Sequence, residues 1–173
     1  LGQDRKLRHM LANLAPGSSN ARRFQILSRL GLNELLCEET PQLAIEHLTQ
    51  AYDLLEQLKF PDRKIKQFQS NRVKFTLAVA YLRLGETENC CLRYSSESCI
   101  LPIRGGGLHT EQKGSRQAIK YFQEVLDGTR GSTEQQQIIQ LQEPARWLLN
   151  IAYMTLGEYP DRVPPAYRIP PEF

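Results

Sequence analysis

The sequence predicts an all-α fold, a solenoid in which helices stack in consecutive pairs. Two ten-residue segments, 77–86 and 149–158, share six identical residues in register, and both end in Leu-Gly-Glu. Such self-similarity is typical of repeat architectures, and a glycine after an apolar helical stripe is a common helix end. Apolar residues elsewhere recur at the three- and four-residue spacing of one helix face. We therefore expect about two and a half helix pairs around one core.

The apolar periodicity assigns the helices of a domain spanning residues 21–158. Helix 64–85 carries apolar residues on two faces, which predicts that it lies between neighbouring helices. The last helix, around Trp147, is apolar almost all round, so another segment or molecule has to cover it. The predicted elements are pair one, 21–37 with 41–58; pair two, 64–85 with 115–127; and an unpaired helix, 143–157.

Three segments fall outside this repeat. Residues 1–20 form an N-terminal segment with a short helix at about 3–14. Residues 88–114 form a Cys/Gly-rich insertion between the two helices of pair two. Residues 159–173 contain five prolines in fifteen positions, which excludes a helix and predicts an extended tail. The tail is expected to lie over its own last helix or over the next copy of the protein.

The glycines at 105–107 invite comparison with a phosphate-binding loop. Such a loop requires a preceding strand and a Gly-Lys-Ser/Thr entry into a helix, and the sequence offers neither. We expect these glycines to turn the backbone with positive φ or to pack against a helix. His109 beside them is expected to be structural, while His9 and His47 are expected to be ordinary surface or helix-face residues.

The four cysteines predict a disulfide framework. Cys90 and Cys99 are nine positions apart and would close a small loop as a disulfide. Cys37 and Cys91 follow the first helices of the two pairs, whose ends are neighbours in a stack, so they form the second expected bridge. Buried free thiols are the alternative for all four residues.

A metal- or redox-active module using the same insertion is the alternative of another class. Cys90, Cys91, Cys99 and His109 supply soft ligand atoms, but their spacing lacks the Cys-x-x-Cys geometry of a zinc site. No nucleophile and base stand together in the sequence. We therefore expect no bound metal, no cofactor and no enzymatic activity.

The charge and hydropathy of the chain argue against two classes of partner, nucleic acid and the membrane interior. The net charge is +3 and the basic residues are scattered, which argues against nucleic acid. No apolar run approaches the 18 residues of a membrane span. The chain starts at Leu1 without methionine, which predicts an exported protein, extracellular or periplasmic, with its signal peptide removed.

The residues also carry a family resemblance. Segments 77–86 and 149–158 resemble the first helix of a tetratricopeptide repeat, although their 72-residue separation requires insertions beyond the usual repeat of about 34 residues. Segment 89–109, with its cysteines and glycines, and segment 145–165 resemble the N-terminal helical region of exported bacterial FG-GAP proteins of the ASPIC/UnbV group. The resemblance spans residues 70–173. It implies a helical region that precedes a calcium-binding propeller, or stands alone, and no defined catalytic activity.

These expectations converge on a non-enzymatic scaffold that binds protein or peptide. In such a solenoid the concave groove is lined by the first helix of each pair, and a self-assembling extracellular filament, joined through the tail or the solenoid ends, is the alternative. The expected protein-binding residues are Arg72, Lys74, Arg83, Arg146, Asn150, Tyr167, Ile169 and Phe173.

Overall fold

The computed structural model describes residues 2–15, 17–37, 41–93, 95–98 and 100–171. All regular secondary structure in these ranges is helical, as predicted. None of the described helices combines the length and the apolar character needed to cross a membrane. The helices are α1 (Gly2–Ala12), α2 (Asn20–Cys37), α3 (Pro41–Gln57), α4 (Arg63–Glu86), α5 (Lys113–Thr129), the single turn α6 (Gln135–Gln137) and α7 (Glu143–Thr155).

Local sequence explains where several helices begin. Asp62 precedes α4 in an extended conformation, and its carboxylate accepts a hydrogen bond from the Lys64 amide at 2.8 Å. This is the N-cap arrangement that satisfies one of the unpaired amides of a first turn. Proline stands in the first turn of both α3 and α7, where its missing amide hydrogen is not needed. The predicted helix bounds agree with these starts within two residues.

Helix α4 is the central element of the fold. On one face Val73, Leu77 and Ala80 pack into a core with α2 and α3. On another face Ala78 and Leu82 pack into a second core with α5 and α7. The prediction that this helix lies between neighbours is confirmed, and its apolar residues divide between two cores for that reason.

Glycine allows α4 and α5 to touch backbone to backbone. A Cβ added at Gly114 would lie 2.5 Å from the amide nitrogen of Gly85 and 2.6 Å from the carbonyl oxygen of Tyr81. Any larger side chain would push the start of α5 away from α4. The second helix of the pair is therefore anchored at its first turn.

The two Leu-Gly-Glu motifs have different outcomes. Gly157 has φ +69° and follows the end of α7, as expected for a helix-terminating glycine. Gly85 instead stays helical, and the chain continues through Glu86 into a π-helical turn, Thr87–Cys91. The prediction that Gly85 supplies a helix-terminating turn is therefore wrong, although α4 ends at Glu86, within one residue of the predicted end. Its missing side chain serves the contact with α5 and not a turn.

The C-terminal segment is not extended as predicted. Residues 159–167 form consecutive turns, in which the Val163 amide donates to the Pro160 carbonyl and the Tyr167 amide donates to the Pro164 carbonyl. The prolines exclude a helix but are compatible with tight turns. These turns let Val163 and Tyr167 enter the core beside α5 and α7, so the segment covers the last helix of its own chain.

We expect Gly114→Ala to lower the free energy of unfolding by about 1–3 kcal/mol, because the added methyl group overpacks the contact with Gly85. Urea denaturation followed by far-ultraviolet circular dichroism measures this difference. Gly2→Ala is the matched control, since a Cβ there meets no atom within 4 Å. Equal stability of the two variants would show that the helices do not depend on this close approach.

Candidate functional site

A groove with an apolar lining runs between α2 and α4, the first helices of the two pairs. It encloses about 470 Å³, and its walls include the buried side chains of Phe24 and Val73 together with the exposed Leu32. Among the described residues that line it, Arg29 and Arg72 are the charged ones, and neither wall carries a carboxylate. The groove therefore combines apolar contact area with positive charge.

The predicted groove residues of α4 separate onto different faces. Arg72 lines the groove, with its guanidinium 5.8 Å from the centre of the Phe68 ring. Arg83 is exposed further along α4 and bonds Glu86 at 2.8 Å. Lys74 faces away from the groove: it bonds Glu124 of α5 at 2.8 Å and lies over the Tyr52 ring.

The surroundings of Lys74 explain its charge state. Burial opposes ionisation, but the hydrogen bond to Glu124 and the neighbouring Tyr52 together raise the pKa of Lys74 above its ordinary value. The ammonium therefore stays charged inside the interface between the two helices of a pair. Its role in this structure is to join α4 to α5.

The predicted residues of α7 bind the main chain of the C-terminal segment. Asn150 donates from Nδ2 to the Tyr167 carbonyl at 2.9 Å and accepts from the Ile169 amide at 3.1 Å. Arg146 donates to the Arg168 carbonyl at 2.9 Å. These bonds satisfy backbone groups that are shielded from water. Tyr167 and Ile169 are thus engaged within the chain, and Phe173 lies outside the described residues.

The same segment is fastened to α5 through the Tyr167 ring. The Tyr167 hydroxyl donates to Asp127 and accepts from Arg130 at 2.6 Å, both of which lie at the end of α5. Contacts with α5 and α7 together place residues 159–169 on their own chain. Of the two expected arrangements for the tail, the structure therefore has the intramolecular one.

The register of the ten-residue repeat explains this position. A shift of 72 residues aligns Lys74 with Arg146 and Ala78 with Asn150. In α4 these positions face the partner helix α5, and in α7 they face the C-terminal segment. The C-terminal turns therefore contact the positions of α7 that correspond to those that α4 presents to α5.

A second cluster of polar side chains lies where α4, α5 and α7 meet. His109 is 3% exposed, and its Nδ1 lies 2.9 Å from the Ser115 hydroxyl. Ser115 in turn lies 2.8 Å from the Thr155 hydroxyl. The other ring nitrogen, Nε2, lies 3.6 Å from Sγ of Cys90, a sulfur hydrogen-bond distance. Burial lowers the pKa of His109, against an opposing influence of Glu86.

The expected disulfides have different outcomes. Cys91 carries a free, exposed thiol, so the structure lacks the predicted Cys37–Cys91 bridge. The Cys37 side chain itself lies outside the described part of the chain. Cys99, the expected partner of Cys90, also lies outside it, and that pairing stays a prediction.

The loop between α4 and α5 brings two of the four candidate soft ligands, Cys90 and His109, together. Cys90 and His109 are in contact, and Cys91 points into solvent. Over the residues that the structure describes, no group of three or more His, Cys, Asp or Glu side chains is placed to hold a metal ion. At the glycine turn, the carboxylate of Glu97 accepts a hydrogen bond from the Gly106 amide at 2.6 Å. Gly105 has the expected positive φ of 50°.

A buried ionic cluster joins α1, α2 and α3. Glu34 is fully buried, and its carboxylate bonds Arg8 at 2.6 Å and Nδ1 of His47 at 2.7 Å. Burial raises the pKa of Glu34, and the hydrogen bond with His47 and the charge of Arg8 act in the opposite direction. The prediction that His47 is an ordinary helix-face residue is wrong, because its ring lies against this carboxylate.

No protein-family model matches the chain, and no curated protein and no solved structure is significantly similar to it. Functional inference therefore depends on the geometry of the groove, the polar cluster and the C-terminal segment.

Sequence reasoning missed Glu34, Asn89, Ser115 and Thr155. A signal exists for Glu34, which continues the apolar stripe of Leu27 and Leu30 on α2; a charge on such a stripe indicates a buried partner. Ser115 and Thr155 are 40 positions apart, and nothing in their local sequence indicates that their hydroxyls meet.

We expect Asn150→Asp to loosen the C-terminal segment, because a carboxylate would replace the Nδ2 donor that faces the Tyr167 carbonyl. The loss of a buried hydrogen bond costs about 1–3 kcal/mol. Limited trypsin digestion detects the loosened segment as faster cleavage after Arg162 and Arg168. Asn20→Asp, at the exposed start of α2, is the control with the same change of charge. Unchanged cleavage in Asn150→Asp would contradict the proposed role of this side chain.

Proposed function

We propose that this protein is a non-enzymatic, tetratricopeptide-like interaction module that binds an extended peptide or protein segment in the groove between α2 and α4. The observation that carries the proposal is the position of the groove on the first helices of both pairs. The repeat register supports the same interpretation, since α4 and α7 present equivalent positions to α5 and to the C-terminal turns. The relation to exported ASPIC/UnbV-type proteins, and with it an extracellular or periplasmic location, belongs to this proposal.

The lining of the groove selects the chemistry of the partner. Arg29 on α2 and Arg72 on α4 lie on different walls of the groove, where they would face carboxylates of a bound segment. Phe24, Leu32 and Phe60 offer apolar area between them. Because no lining carboxylate balances the two guanidinium groups, a segment that alternates acidic and apolar residues is the complementary ligand.

We expect Arg72→Glu to weaken binding of an acidic, leucine-containing peptide by about tenfold or more, equivalent to about 1.4 kcal/mol. The probe is a fluorescein-labelled peptide of alternating glutamate and leucine, and the measurement is fluorescence anisotropy at two salt concentrations. Reversal of one groove charge removes an attraction and adds a repulsion.

Two controls make this test specific. Arg63→Glu makes the same charge change at the exposed start of α4, outside the groove, and should retain the affinity of the unmodified chain. A labelled peptide of alternating lysine and leucine should bind weakly to all three proteins. An equal loss of affinity in Arg63→Glu and Arg72→Glu would show that the effect depends on net charge alone, and it would refute binding in the groove.

Self-assembly through the ends of the solenoid is a second candidate, and one observation favours it. The 72-residue shift aligns Trp147 with Phe75 and Ile151 with Val79. Phe75 and Val79 pack against the core formed by α5 and α7, whereas Trp147 is 47% exposed. Helix α7 therefore exposes Trp147 at a position where the corresponding residue of α4, Phe75, packs against neighbouring helices.

We expect Trp147→Glu to abolish any concentration-dependent association of the chain, because a charge cannot be buried in a stacked apolar interface without a partner. Sedimentation velocity over a wide concentration range measures the association. Leu92→Glu, which replaces an exposed side chain on the loop after α4, is the control. Association that persists in Trp147→Glu would exclude this end of the solenoid as the connector.

A further inference from the structure

A second cavity lies between α1 and α2, directly beside the groove between α2 and α4. It encloses about 620 Å³ and shares two lining residues with that groove, Gln25 and Arg29, both of them exposed. Elsewhere on α2, Phe24 lines only the groove and Ile26 lines only the second cavity. The two cavities are therefore the two flanks of one helix, and a ligand that crosses α2 would enter both.

The floor of the α1–α2 cavity is apolar and fixed in position. Leu7 of α1 packs against Ile26 of α2, and Met10 lies against the same apolar cluster. All three residues line the cavity. Arg8 bonds the buried carboxylate of Glu34 at 2.6 Å, which fastens α1 to α2. The cavity between the two helices is therefore a stable part of the fold.

The rim of the α1–α2 cavity is positively charged. Lys6, Arg22 and Arg29 line it, and their side chains are exposed. Among the residues that the structure describes, none that lines this cavity is acidic. Over the same part of the chain, none of the three basic side chains takes part in an ion pair. Their charge is therefore available to a ligand.

The acidic residues of the two helices are turned inward. Asp4 is the one acidic residue of α1, and Glu34 is the one acidic residue of α2. Both are buried, and both bond Arg8, at 2.7 and 2.6 Å. The charged side chains that remain on the outer faces of α1 and α2 are therefore basic. A surface of one sign attracts and orients a ligand of the opposite charge.

We propose that the α1–α2 cavity is the second half of the recognition groove. A single acidic polypeptide segment crosses α2 and places one apolar side chain in each cavity. This inference rests on the proposed function, which assigns the groove between α2 and α4 to such a segment. A nucleic acid or another polyanion without apolar side chains would leave both apolar floors uncovered, so a polypeptide is the better complement.

The width of α2 sets the spacing of the two apolar side chains. An α-helix with its side chains is about 10 Å across, and the two cavities lie on its opposite flanks. A segment in the polyproline II conformation rises about 3.1 Å per residue and has three residues per turn. Apolar residues three positions apart on such a segment would point to the same side, about 9 Å from each other. Acidic residues between them would then lie over Arg29.

The test uses the full chain and two fluorescein-labelled peptides of equal length and charge. The first peptide, Glu-Leu-Glu-Glu-Leu-Glu, carries both apolar side chains, and the second, Glu-Leu-Glu-Glu-Ser-Glu, carries one. Fluorescence anisotropy should give an affinity about tenfold higher for the first peptide, because a second leucine is buried. The ratio of the two affinities measures occupation of the second cavity.

Two neighbouring arginines provide a matched pair of variants. Arg22 lines the α1–α2 cavity, whereas Arg23 is exposed beside it and lines neither cavity. Both lie in the first turn of α2, so replacement by glutamate changes the net charge and the helix end alike. Arg22→Glu should remove the advantage of the two-leucine peptide, and Arg23→Glu should keep it.

The outcomes distinguish this inference from the proposed function. Equal affinity of the unmodified chain for the two peptides would refute the shared site and leave the groove to be decided by Arg72→Glu. An advantage that is lost in both Arg22→Glu and Arg23→Glu, or kept in both, would also refute the shared site. Failure of both peptides to bind the unmodified chain would refute the proposed function and this inference together.

Discussion

The backbone contact between α4 and α5 at Gly85 and Gly114 is the constraint from which most of the fold follows. Two helices that meet without intervening side chains hold a fixed crossing, and the apolar residues on either side of that crossing then have defined partners. The contact also brings the start of α5 under the end of α4, where Ser115 and His109 are buried together. One close approach thus sets both the packing of the central pair and the geometry of the polar cluster.

The last helix shows how a stack of helix pairs can end without another helix. Arg146 and Asn150 bind the main chain of the C-terminal turns at positions where α4 binds its partner helix. Turns rich in proline have few free amides, so a few side-chain bonds are enough to satisfy their backbone. The segment closes one side of α7, while the side that carries Trp147 stays open. Only the side of α7 that carries Trp147 is therefore accessible for further contact.

The groove and the buried polar cluster around His109 and Ser115 lie in different parts of the molecule and depend on different chemistry. The groove joins α2 and α4 and offers positive charge with apolar area, which suits recognition of a polypeptide. The cluster joins the end of α4, the start of α5 and the end of α7 through buried hydrogen bonds. The two features share only α4.

The sequence by itself determined the helices, because apolar spacing, proline and capping residues act within a few positions of the chain. It also indicated that α4 is covered on two faces and that α7 needs a cover, since a helix shows its apolar faces in its own residues. Only the tertiary structure decided that Gly85 continues a helix while Gly157 ends one, and that the proline-rich segment folds into turns over its own chain. Likewise, Glu34 with His47 and Ser115 with Thr155 meet across the fold. Such outcomes depend on which surfaces approach each other, and residues distant in sequence carry no local mark of that approach.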